Sequence, residues 1–276
     1  MRTTARFWLV GATVCLVAVS AQAIGFYVQK DLSLYGYLNQ HDVDDDWGSV
    51  ACAPTAAVNS FVYLENKYPG IYDDWLVPGS DYQAMVSAAR TLALNYMNTS
   101  LPSGTTAEDF LLGKMKFIEN ALPGWTRYEA QLAGTWDSTN FYGEDKPGWV
   151  ELTYPTWEFL FLELEACEDV EIGLAYDAGG GHALTLTSFH WTDDGTPFVI
   201  DLGEAYIDFI DPLTGAYGTA NIWQTSLDGP ILTSYGGGAT ITMAVSESPI
   251  PEPLTMLCVF ASVAGVGAYI RRRRMV

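Results

Sequence analysis

The order of its patterned segments predicts an α+β domain, with a helical first half packed on an antiparallel sheet built from the second half. Two observations carry that expectation. From residue 52 to residue 167, apolar residues recur at three- and four-residue spacing in separate runs, bounded by prolines, glycines and capping residues. From Val170 onward the repeat drops to two, and glycine-rich or Asp-Gly turns separate stretches rich in β-branched and aromatic residues.

The two ends of the 276-residue chain stand apart from that domain. Met1 to Ala23 carries Arg2 and Arg6, an apolar run from Phe7 to Val19, and then Ala21-Gln22-Ala23. This is the pattern of a secretory signal peptide, with cleavage expected after Ala23; a retained anchor is the alternative. At the other end Pro251-Glu252-Pro253 precedes an apolar run, Leu254 to Ile270, and the cluster Arg271 to Arg274. Such a run is just long enough to span a bilayer, and the arginines fix its end in the cytoplasm. Residues 24–249 are therefore expected to be a single domain, large enough for one sizeable core. Setting aside the six arginines of the two ends and Glu252 leaves 7 basic and 32 acidic residues, a net charge of −25. So acidic a domain excludes nucleic acid as a partner.

The elements follow in order. Residues 24–40 read as an extended lead-in, with a short strand over Leu34 to Leu38, ending at Gln40. An acidic loop from His41 to Ser49 holds Asp42, Asp44, Asp45 and Asp46. Its DxDxD spacing is that of a calcium loop's opening. The sixth position is Trp47 rather than glycine and the twelfth is Ala53 rather than glutamate, which argues against an EF-hand and leaves a looser calcium site open. A helix begins near Cys52, with Pro54 in its first turn and Val58, Phe61, Val62 and Leu64 at helical spacing; Tyr68-Pro69-Gly70 ends it. A second spans Asp81 to Asn98. A third follows the capping box formed by Thr105 and Glu108 and stops at Leu122-Pro123-Gly124. Trp125 to Gln131 is extended, residues 133–152 are a loop, and Pro155 opens a last helix that runs through Cys167. Strands are expected at Val170 to Tyr176, His182 to Trp191, Phe198 to Asp201, Tyr206 to Asp211 and Ala239 to Val245.

Chemistry gathers around one thiol. Of the four cysteines, Cys15 lies in the leader and Cys258 in the apolar tail, which leaves Cys52 and Cys167. They form either a disulfide or two separate thiols; two cysteines give slight disulfide use, which favours the second. A thiol at a helix N-terminus sits at the positive end of the macrodipole among unpaired N–H groups, a setting that favours the thiolate. A buried structural cysteine is the plainer alternative. A nucleophilic cysteine needs a base in reach and a third group to hold that base. The histidines are His41, His182 and His190. His182 opens a strand directly after Gly179-Gly180-Gly181; His190 lies eight residues along the same strand, roughly 26 Å away, so the two do not share a site. His41 sits among acids. For the third role, Asp201 after a tight hairpin would face Thr187, whereas Asp211 faces His182 if the register sums to 393. The alternation Ala205, Ile207, Phe209, Asp211 favours Asp211, with Asp208 the opposite-face alternative.

Three segments, CAPTAAVNSF, GHALTLTSF and FIDPLTG, resemble the Cys, His and Asp segments of papain-like cysteine peptidases, most closely the bacteriocin-leader-processing type. The resemblance implies a papain-like fold with Cys52 as nucleophile, His182 as general base and acid, and Asp211 as the orienting group. It implies an oxyanion site made by the backbone N–H of Cys52 and a glutamine side chain. That glutamine usually lies about six residues before the cysteine; here position 46 is aspartate and Gln40 is the nearest, while Ala53 replaces a usual glycine. These departures leave a catalytically degenerate binding protein as the competing expectation. Residues 250–276 resemble a PEP-CTERM sorting signal, which implies an exosortase-type partner, transient inner-membrane anchoring, a Gram-negative-type envelope, and delivery to the cell surface or extracellular matrix. A peptide or protein is the implied substrate, and no metal or other cofactor is called for.

Overall fold

The computed structural model describes residues 24–79, 81–166, 168–193, 205–223 and 229–250; Cys167, Asp201, the expected strand Phe198 to Asp201, the leader and the apolar tail lie outside them. Helix α1 (Cys52–Lys67) is the centre of the fold. Thirteen of its 16 residues are buried, so it is covered on nearly every side instead of showing the one apolar stripe read from its sequence. Its buried polar side chains tie loops around it. Asn59 Oδ1 accepts the Leu38 N–H at 2.7 Å, and Glu65 Oε1 accepts the N–H groups of Leu76 and Val77 at 2.7 and 2.8 Å. That satisfies groups that would be costly to bury unpaired.

Two helices cover α1. Helix α2 (Tyr82–Thr91) is capped by Asp81, whose Oδ1 accepts the Ala84 N–H at 2.8 Å, and runs on through a π-helical turn, Leu92–Tyr96. Helix α3 (Ala107–Ala121) starts one residue later than its sequence suggests. Thr105 Oγ1 pairs with Thr99 Oγ1 at 2.7 Å, so Thr106 becomes the cap and accepts the Asp109 N–H at 3.1 Å. Glu108, freed from a capping box, accepts the Asp137 N–H instead. Helix α4 (Trp157–Glu165), capped by Thr156, lies on the opposite side of the sheet.

The strands are β1 (Ile24–Gln29), β2 (Thr126–Leu132), β3 (Val150–Glu151), β4 (Asp169–Tyr176), β5 (Gly181–Asp193), β6 (Tyr206–Asp211), β7 (Ala216–Asn221), β8 (Leu232–Thr233) and β9 (Ala239–Pro249). They form one nine-stranded sheet in the order β3-β2-β9-β4-β5-β6-β7, with β1 on the far half of β5 and β8 on β9. Among the described residues, every pairing is antiparallel except β2 with β3. Among the described residues the fold is thus mixed α+β, with four α-helices and a mostly antiparallel sheet. The expected strand at Leu34 to Leu38 is absent: Leu32–Leu34 makes a 3-10 turn, capped by Asp31, and the segment after it follows α1. Strand alternation sends Ala183 toward the α1 core, where Thr185 Oγ1 donates to the Ala56 carbonyl at 2.9 Å; Leu184 and Leu186 turn to the α4 core.

One feature of the core is ionic. Lys114 of α3 is completely buried, and its Nζ meets Asp169 Oδ2 at 3.2 Å and, more closely, Glu171 and Glu247. Its charge also faces the Phe61 ring of α1, 5.7 Å from the ring centre. Three carboxylates around one ammonium leave an excess of negative charge out of water. Burial pushes Glu171 up to about 7 despite the lysine, and holds Glu247 well above the usual carboxylate range.

Candidate active site

Cys52 is the first residue of α1. Ala51 before it offers no side-chain cap, and Pro54 brings the chain into the first turn without an N–H of its own. The thiol is partly exposed. The β4–β5 hairpin delivers His182 to it. Gly179 and Gly180 take φ values of +90° and +84°, and a Cβ on Gly181 would stand 2.5 Å from the Leu174 carbonyl oxygen. These glycines are backbone requirements: two provide the left-handed turn and the third lets the strands close tightly before the histidine.

His182 Nε2 lies 2.8 Å from Asp211 Oδ1, and the Cys52 thiol is near enough to act on the ring's charge. With Nε2 engaged by the carboxylate, Nδ1 is the nitrogen left for sulfur. Burial alone would push the imidazole pKa down. The bond to Asp211, the contact with Cys52 and their charges outweigh it and raise the pKa to about 9. The Asp211 carboxyl moves the other way. Burial would raise it, but it is held below its ordinary value by His182, by the Leu213 N–H at 2.8 Å and by the Tyr235 hydroxyl at 2.8 Å.

The register that unites these residues differs from the sequence expectation by two. β5 and β6 pair Thr185 with Ile210 and Leu186 with Phe209, and a bulge follows Leu186. Asp211 therefore continues toward Leu184, not His182. A slip of two preserves the face of every side chain, and a diagonal neighbour remains within reach of long side chains, so the hydrogen bond forms all the same.

A cleft of about 280 Å³ opens beside the thiol. Cys52, His182 and Gly180 line one part of it, and Gly104, Thr105 and Met243 others; among the described residues no Asp, Glu, Lys or Arg lines it. The remaining sequence candidates lie elsewhere. Gln40 is buried, donates from Nε2 to the Ser49 carbonyl at 3.0 Å, and takes the Pro212 carbonyl on its backbone N–H at 2.7 Å. It braces the approach to Cys52 against the turn after Asp211 and does not line the cleft. His190 stacks on Tyr206 with ring centres 4.6 Å apart. Asp208 is buried and accepts from Thr219 Oγ1 at 2.6 Å. His41 is exposed. In the acidic loop Asp42 accepts from the Tyr82 hydroxyl, and Asp44 Oδ1 accepts the Asp46 N–H at 2.9 Å. Among the described residues the one group of three acidic side chains close enough to share a metal ion is Asp169, Glu171 and Glu247, and Lys114 already sits against all three.

Tyr235 was not legible as a site residue. It lies in a 3-10 turn, Tyr235–Gly237, between β8 and β9. Its ring stacks on His182 at 5.5 Å and 11° between planes, and its hydroxyl reaches Asp211 Oδ2. The one signal in the sequence is the run Gly236-Gly237-Gly238 directly after a tyrosine. No protein-family model matches the chain, and no curated protein matches it.

Proposed function

We propose that this protein is an exported cysteine peptidase, or a related acyl-transfer enzyme, on a papain-like fold. The observation that carries the reading is the convergence of Cys52, at the mouth of a buried helix, with His182 and its partner Asp211, the first two on the wall of a cleft. In the proposed reaction the Cys52 thiolate attacks the substrate carbonyl carbon, and the helix N-terminus and the Cys52 N–H face the developing oxyanion. The carbon–nitrogen bond then breaks, and the imidazolium of His182 gives its proton to the leaving amine. Water, deprotonated by His182, hydrolyses the thioester and frees the thiol; an amine in place of water completes acyl transfer. Asp211 holds the imidazole in the tautomer and plane that these proton transfers need. The substrate is a peptide or protein segment entering a cleft without carboxylates or cations. The expected leader and sorting tail add export, transient anchoring at the inner membrane, processing by an exosortase-type enzyme, and a final place at the cell surface or in the matrix.

Labelling tests the chemistry. An electrophilic peptide should modify Cys52 in the intact protein, and Cys52→Ala and His182→Ala should each abolish the reaction while leaving the far-ultraviolet circular dichroism unchanged. His190→Ala should label at the wild-type rate. A wild-type protein that does not label, or a Cys52–Cys167 disulfide found by peptide mapping, would refute the reading.

The competing reading, a degenerate relative that binds peptide or glycan without cleaving it, draws on one observation. The Gln40 amide donates to the Ser49 carbonyl, and Gln40 is not among the residues lining the cleft, which favours a site without its second oxyanion donor. Rapid labelling without turnover of any peptide pool would favour it.

A further inference from the structure

We infer that Tyr235 is a positioning residue of this site, acting on His182 through Asp211. The inference rests on the proposed Cys52–His182–Asp211 chemistry and adds a fourth residue to it.

Asp211 has two oxygens and three partners. Oδ1 accepts from Leu213 N–H and faces His182 Nε2, so it alone does not fix the plane of the carboxylate. Oδ2 is held at 2.8 Å by the Tyr235 hydroxyl. A phenol can donate a hydrogen bond to a carboxylate without adding charge to the site, which a lysine or arginine there could not do. Burial and the bond to Asp211 both push the Tyr235 pKa above its ordinary value, so the hydroxyl remains a donor across the range in which the thiol works.

The ring has a separate effect. It lies nearly parallel to the imidazole, 5.5 Å centre to centre, and Tyr176 stacks on its own account against Tyr235 at 6.5 Å. The His182–Asp211 bond is thereby walled off from water on that side, where a hydrogen bond between charged groups is stronger.

The backbone makes this placement specific. Gly236, Gly237 and Gly238 have φ values of +59°, +89° and +140°, three consecutive conformations that side chains rarely adopt. A Cβ on Gly236 would also stand 2.9 Å from the Tyr176 ring. The turn that leads from β8 into β9 thus uses glycine three times in succession directly after the tyrosine that reaches Asp211.

The experiment compares wild type, Tyr235→Phe, Asp211→Ala and the double variant, reading the rate of Cys52 alkylation by iodoacetamide at pH 6 and pH 10. Cys167 is first replaced by serine in every protein, so that one mature thiol is counted. At pH 6 an ordinary thiol is almost wholly protonated and reacts only if an imidazolium stabilises its thiolate; at pH 10 every accessible thiol is ionised. Tyr235→Phe keeps the ring and its stacking and loses only the hydroxyl. It should slow alkylation at pH 6 by about ten-fold, the effect of one hydrogen bond to a charged group, and leave the rate at pH 10 unchanged. In the Asp211→Ala background the same change should have no further effect, because its route to the imidazole is gone. A merely structural tyrosine would alter both pH values alike, or act equally in both backgrounds, and either result overturns the assignment. Should Tyr235→Phe unfold, Tyr235→Trp keeps a large ring without a hydroxyl directed at Oδ2, and the same ratio is read. A wild type as slow at pH 6 as an ordinary thiol refutes the ion pair and the proposed chemistry with it. A fast wild type with an unaltered Tyr235→Phe ratio overturns the role of Tyr235 alone.

Discussion

Replacing Asp211 by asparagine keeps the shape of the side chain and removes its charge, and the consequence can be worked from the site. His182 titrates at about 9, against an ordinary value of 6.5. That difference is a preference for the imidazolium of about 3 kcal/mol. Burial opposes it, so the favourable part supplied by Asp211 and Cys52 is larger still. An opposite charge at hydrogen-bonding distance shifts a neighbour by about 1–3 units, and Asp211 makes the strongest of the raising interactions. Asp211→Asn should therefore lower the His182 pKa by one to two units, to about 7–8. At pH 8 the wild-type ring is mostly protonated, and the variant ring is half protonated or less. The alkaline limb of any activity that needs the imidazolium should move down by the same amount.

The sign for stability follows from the same group. A histidine whose folded pKa is raised contributes stability that is complete below about 6.5 and is lost as pH rises through about 9. The asparagine variant should then be less stable than wild type by its full margin at pH 6 and should approach wild type near pH 10. Ring-proton NMR reads the pKa directly, since three histidines give few signals and His182→Ala assigns the one of interest. Urea unfolding at several pH values reads the stability. A His182 pKa that moves by less than half a unit in Asp211→Asn would refute the claim that the 2.8 Å contact is an electrostatic bond that matters.

Three further outcomes are expected. Lys114→Met should destabilise the protein by about 3–5 kcal/mol in urea unfolding, because it leaves Asp169, Glu171 and Glu247 buried without their cation; a loss below 1 kcal/mol would mean that the cluster is already neutral. Glu171, with a folded pKa near 7 against 4.5, binds a proton that the unfolded chain has released. Stability should thus fall as pH rises from about 4.5 to 7, and Glu171→Gln should flatten that part of the melting-temperature profile. Gly181→Ala puts a methyl group 2.5 Å from the Leu174 carbonyl and should cost about 1–3 kcal/mol while displacing His182, so labelling of Cys52 should slow more than stability falls.

What the sequence revealed of this site, and what it hid, divides along locality. Helix α1 and the strands that carry His182 and Asp211 announce themselves by local period, and their ends fall close to where proline, glycine and Asp-Pro place them. The pairing of those strands is a long-range matter. The β5–β6 bulge after Leu186 has no local sign, yet it moves the register by one and leaves Asp211 two residues from its expected pairing; the site survives because an even slip leaves faces unchanged. Strand β7, with the sequence AYGTAN, has mostly exposed side chains at the sheet edge and so lacks the apolar alternation that marks a strand. Thr106 displaced Thr105 as the α3 cap because Thr99, brought close by the turn at Ser100–Gly104, took the first hydroxyl.

Lys114 and Tyr235 are the extreme cases. On α3 a lysine in an otherwise amphipathic run reads as solvent-facing, and only its meeting with β4 and β9, 55 to 133 residues away, turns it into a core residue. Tyr235 reaches Asp211 across 24 residues and His182 across 53, from a turn whose sequence reads as a plain glycine loop. Both owe their position to β9, which runs beside β4 and carries the turn holding Tyr235 at its start and Glu247 near its end. One late strand thus closes the charged core under α1 and brings the tyrosine to His182 and Asp211, so a slip of β9 by one residue would disturb both at once.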